Sequence, residues 1–90
     1  MNAERVVYRT WPNGTVTALF PDQHDGRYVT SYERVGQHGQ ADYFFVIGKT
    51  CVALPHEYAD LHRELTEVVG YTLRVVVRAR PRRPTVGVAP

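Results

Sequence analysis

Ninety residues, 43% hydrophobic and 22% charged, are enough for one domain with a modest core, and they exclude both a multidomain architecture and a disordered chain. No stretch approaches the roughly 18 apolar residues of a membrane helix. The start, Met1-Asn2-Ala3-Glu4-Arg5, lacks the layout of a signal peptide, so the expectation is a cytoplasmic protein without a membrane partner. The net charge of +2 is unevenly spread: residues 1–70 are net acidic, whereas residues 71–90 hold Arg74, Arg78, Arg80, Arg82 and Arg83 and no acid.

Arg5 to Trp11 alternates β-branched and aromatic residues and predicts a strand. Pro12-Asn13-Gly14 presets a turn, and Thr15 to Phe20 is the return strand, with a bulge expected at Gly14. Pro21 to Gly26 is rich in turn formers and predicts a polar loop. Tyr28 to Val35 reads as a third strand, with Tyr28, Thr30 and Tyr32 on one face. Gly36-Gln37-His38-Gly39-Gln40-Ala41-Asp42 reads as a second loop. Tyr43 to Ile47 is apolar and fits a buried strand or a helical turn equally well at this length.

Cys51 lies in the apolar run Cys51-Val52-Ala53-Leu54 and is expected to be a buried free thiol in a reducing compartment. From Pro55 to Val69 the period becomes helical, with Tyr58, Leu61, Leu65, Val68 and Val69 on one stripe and acids opposite. Pro55 suits the first helical position, Gly70 suits the C-terminal cap, and Leu54 is a poor N-cap. Tyr71 to Arg80 predicts the last strand, with Arg74, Arg78 and Arg80 along one face. The expected fold is therefore α+β: a small antiparallel sheet built from the hairpin, the third strand, the C-terminal strand and, if 43–47 is extended, one more, with one amphipathic helix on one face. Residues 1–80 form the domain, and the Pro/Arg-rich segment 81–90 is expected to be a flexible tail.

The segment Ser31-Tyr32-Glu33-Arg34-Val35-Gly36-Gln37-His38-Gly39-Gln40-Ala41-Asp42-Tyr43 resembles a family of short proteins from phages, prophages and conjugative elements. Their pattern runs Ser-Tyr-x-His-Val-Gly-Gln-His-Gly-x-Ala-Asp, and the likeness extends over roughly residues 5 to 80. Arg34 stands where that pattern has its first histidine, so a two-histidine site does not carry over; Leu54 stands where a Thr or Ser caps the helix. The resemblance implies a mobile-element origin and a coherent fold, and it supplies no mechanism.

The loop holding Gln37, His38, Gln40 and Asp42 is the most distinctive feature, open to three readings: a structural loop, a contact loop for a partner, or a general base at His38 oriented by Asp42. No spacing among His24, Asp25, His38, His56, Glu57 and His62 suits a metal, and His56 and His62 point to different helix faces. Gly48-Lys49-Thr50 imitates the end of a phosphate-binding loop, but Tyr43 replaces its first glycine, so no nucleotide or other cofactor is expected. The residues point first to a non-enzymatic interaction module that binds a protein partner through Gly36–Asp42. Alternatives are nucleic-acid contact through Arg74, Arg78 and Arg80, with tyrosines as stacking surfaces, and a small hydrolase using His38 and Asp42.

Overall fold

A computed structural model of the chain describes residues 3–34 and 36–79; Val35, Arg80 and the expected tail 81–90 lie outside the described residues. Strands β1 (Glu4–Thr10) and β2 (Val16–Asp25) form the N-terminal hairpin, with Val7 opposite Leu19 and Thr10 opposite Val16. The Trp11 N–H donates to the Thr15 carbonyl and the Gly14 N–H to the Trp11 carbonyl, both at 2.8 Å. Gly14 takes the positive φ of 92° that this bulged turn requires.

β2 does not stop at Phe20. It runs ten residues to Asp25, through the segment expected to be a loop. The ladder to β3 (Tyr28–Glu33) shifts register between Phe20 and His24, and Pro21 falls in that interruption, where its missing N–H breaks no regular pair. β4 (Gln37–Asp42) then pairs with β3 in unbroken antiparallel register from Tyr28↔Asp42 to Glu33↔Gln37. The second expected loop is thus a strand.

Residues 43–47 turn out to be helical, inside α1 (Tyr43–Lys49), because the Asp42 carboxylate accepts the Phe45 N–H at 3.3 Å and caps the first turn. β5 (Cys51–Val52) pairs with β1 at Arg9 and Thr10, and Cys51 is exposed there rather than buried. α2 (Pro55–Arg63) starts as predicted, and Glu57 compensates for the weak cap at Leu54 by accepting its N–H at 2.8 Å.

Beyond Arg63 the helix widens into a π-helical turn, Glu64–Val69, that ends on Gly70 with φ 99°. Each residue of the wider turn advances less around the axis than in an α-helix, so the stripe drifts. Leu61 and Leu65 are buried, but Val68 is 79% exposed and Val69 also faces outward. β6 (Leu73–Val75) is only three residues long and lies parallel to β1, with Arg5 opposite Arg74. The ten-residue antiparallel strand expected over 71–80 is therefore short and parallel, and the sheet is mixed.

The strand order is β4-β3-β2-β1-β5, with β6 also alongside β1. Period-two alternation sends Val6, Tyr8, Ala18, Phe20 and Tyr32 to one face, where Leu61 and Leu65 close the core. Val7, Leu19 and Val29 go to the other face, where Tyr43 and Val46 of α1 and Ala79 cover them. The central strands are thus apolar on both sides, and a helix lies on each face instead of one alone. Among the described residues, no helix is long and apolar enough to cross a membrane.

Candidate functional site: the free edge of the sheet

β4 is the last strand on its side, and among the described residues nothing pairs with its outer edge. Its approach is held in place by charge-assisted contacts to the long helix. The Gly36 N–H donates to Glu64 Oε2 at 2.9 Å, and the Tyr32 hydroxyl donates to the same carboxylate. Arg34 lies 3.4 Å from both Asp60 and Glu64, so the residue that departs from the mobile-element pattern is an anchor between turn and helix. The Tyr32 hydroxyl is held above its ordinary range by the Glu64 carboxylate and by burial, while Glu64 is held below the usual carboxylate range by Tyr32, the Gly36 N–H and Arg34.

Of the residues singled out from the sequence, Gln37, His38 and Gln40 are exposed on β4. His38 stands edge-on to the Tyr32 ring, with centroids 4.6 Å apart. Asp42 is occupied as the cap of α1 and pairs with Arg27 at 3.2 Å. Four residues along a strand separate His38 from Asp42 by about 13 Å, so the structure does not bring them together as a base and its orienting acid. Of the two loop glycines, Gly36 does adopt a positive φ of 67°, but Gly39 is an ordinary strand residue whose Cβ position would lie 3.4 Å from Ser31 Oγ.

Sequence reasoning missed a polar hollow beside this edge. Gly39 and Ala41 are small, and α1 covers only part of the face, which leaves a cavity of about 280 Å³ bordered by Trp11, Ser31, Glu33, Gln37 and Val46. The Trp11 Nε1–H donates to Thr17 Oγ1 at 2.9 Å, and the Thr17 hydroxyl donates to Glu33. These bonds hold the Glu33 carboxylate and the indole side by side, and among the described residues Glu33 has no ion-pair partner. The members come from three strands, α1 and the turn after β1, so only the register that aligns Thr17, Glu33 and Gln37 could have revealed the hollow.

The arginine ladder is not assembled. Arg74 is exposed in β6, Arg78 lies past the end of that strand, and Arg80 is outside the described residues. Elsewhere, the Tyr8 hydroxyl lies 2.9 Å from His62 Nδ1, stacks its ring on Tyr58 at 4.3 Å, and is raised well above its ordinary range by burial and then by Tyr58. His24 Nδ1 is buried and has no hydrogen-bond partner among the described residues. No three His, Cys, Asp or Glu side chains among the described residues group as a metal site. Compared with known proteins, the chain matches no protein-family model, no curated protein and no solved structure.

Proposed function

We propose that this protein is a non-enzymatic interaction module that takes an extended segment of a partner protein onto the open edge of β4. The observation that carries this reading is the edge itself: six residues in regular register, with no proline, lysine or bulge to blunt it. Such an edge offers a row of unpaired N–H and C=O groups, and an added strand gains affinity from that ladder and specificity from pockets beside it. The hollow at Glu33 is such a pocket. Two strand spacings, about 9–10 Å, separate Glu33 from an added strand, within the combined reach of Glu33 and a long basic side chain. A Lys or Arg there would meet both the carboxylate and the indole of Trp11.

That chemistry favours a different protein over a second copy of this chain, because β4 carries no Lys or Arg to place in the hollow. The likeness to phage and conjugative-element proteins supports a mobile-element setting. Nucleic-acid contact has less support, since the strand meant to align Arg74 with Arg78 stops at Val75. A hydrolase has less still, given the separation of His38 and Asp42.

The test is selection of binding peptides from a displayed random library. Binders are expected to share one basic position and to weaken roughly three- to tenfold against Glu33→Gln. Proline substitution of Gly39 and of Gln40, made separately, should abolish binding at whichever N–H points outward while that variant stays folded. Binders indifferent to all three substitutions would refute the reading.

A further inference from the structure

Arg9 projects from β1 toward α1 and is almost wholly enclosed, with 8% of the residue exposed. Its Nε donates to Thr50 Oγ1 at 2.9 Å, and Nη2 donates to the carbonyls of Thr50 and Ile47 at 2.6 and 3.1 Å. Those carbonyls belong to the C-terminal end of α1, where a helix leaves acceptors unpaired and favours a cation. The guanidinium is thus fixed from one side by neutral acceptors. Among the described residues, Nη1 makes no hydrogen bond and Arg9 has no ion-pair partner.

Arg9 lines a cavity of about 540 Å³, within the range of small-molecule sites. Phe44, Ile47, Val52 and Val77 wall it, and Arg78 adds a second cation among the described lining residues. Phe44 and Val77 are each 58% exposed and Val52 is 42% exposed, so this is an apolar surface that water still covers. Two arginines beside an apolar wall, with no acid among the described lining residues, match a ligand with an anionic head and an apolar body. With Nε and Nη2 committed to α1, Arg9 offers a carboxylate a charge-assisted contact from Nη1 alone, and the planar fork of Arg78 can add paired hydrogen bonds.

We propose that this cavity binds a small organic carboxylate with an apolar body, its head on Arg9 Nη1 and Arg78 and its body against Phe44, Val52 and Val77. The site lies on α1, β1, β5 and the segment after β6, so it stands or falls independently of the β4 edge.

Titration of isotope-labelled protein with octanoate, followed by amide chemical shifts, tests it. Saturable shifts are expected at Val52, Val77 and Arg78, with octanamide and inorganic phosphate each binding at least about tenfold more weakly. Arg78→Gln should weaken octanoate about threefold, and Arg9→Gln should do so more strongly. Since Arg9→Gln also removes the cap of α1, Arg78→Gln and the octanamide comparison keep the test decisive if that variant unfolds. N-acetyl-leucine serves as the chain-end probe. Its binding more tightly than octanoate would overturn assignment to a free small molecule, and equal affinity for octanoate and octanamide would overturn the site.

Discussion

The hydroxyl of Tyr32 and the carboxylate of Glu64 meet between β3 and the π-helical end of the long helix, where the Gly36 N–H joins the same carboxylate at 2.9 Å. One side chain thereby ties the helix to the turn that launches the edge strand. The edge is presented by a preorganised support, which lowers the ordering cost of adding a partner strand.

Glu64 should make the fold acid-sensitive. Its folded-state pKa is depressed, first by Tyr32 and then by the Gly36 N–H. Its contribution is therefore fully present above the unfolded carboxylate value of about 4.3 and is lost as pH falls through the lower folded value. Urea unfolding in steps from pH 6 to pH 2 should show a smaller acid loss for Glu64→Gln than for the unsubstituted protein. Parallel curves would show that the carboxylate is not depressed by folding.

The drift of the helical stripe predicts a sharp contrast. Leu61→Ala and Leu65→Ala should each cost about 2–5 kcal/mol, since both side chains are buried. Val68→Ala should stay within about 0.5 kcal/mol despite its place on the apolar stripe, because it is exposed. Equal losses at positions 65 and 68, measured by chemical denaturation, would restore a regular α-helix to this segment.

Two glycine substitutions should have opposite signs. Gly14→Ala meets no steric neighbour, but it forces a side chain onto φ 92° and should cost about 1–2 kcal/mol. Gly48→Ala, in α1 with open space around it and no positive φ, should stabilise by about 0.5–1 kcal/mol. Thermal melts of the two variants decide both.

Arg74 and Arg78 should support only weak, sequence-independent nucleic-acid binding. Two phosphate contacts give a slope of log affinity against log salt of about −1.8 for duplex DNA. A tight, sequence-selective complex at physiological salt would mean that the C-terminal arginines form a surface the short β6 does not suggest.

The hairpin was legible because Pro12-Asn13-Gly14 states its turn locally, and Leu61 and Leu65 were legible because their spacing is regular. β4 was not, since Gly39 and Asp42 are poor strand formers on their own; the unpaired side of β3 makes the segment one. Pro21 concealed the continuation of β2, which a bulge accommodates. Of the residues chosen for the candidate site, Gln37, His38 and Gln40 do share one exposed edge. Trp11, Glu33 and Arg9 went unnoticed because each reads as an ordinary strand residue until the register assembles its neighbours.

A partner segment that hydrogen-bonds along β4 should register in amide hydrogen exchange over residues 37–42, measured with and without a library-selected peptide. In the free protein, alternate amides of β4 should be protected by β3 while those pointing outward exchange fast. On binding, the fast set should slow and the protected set should change little. Peptide binding that leaves the outward amides of β4 exchanging as before, and protects α1 or the long helix instead, would rule out strand addition at this edge.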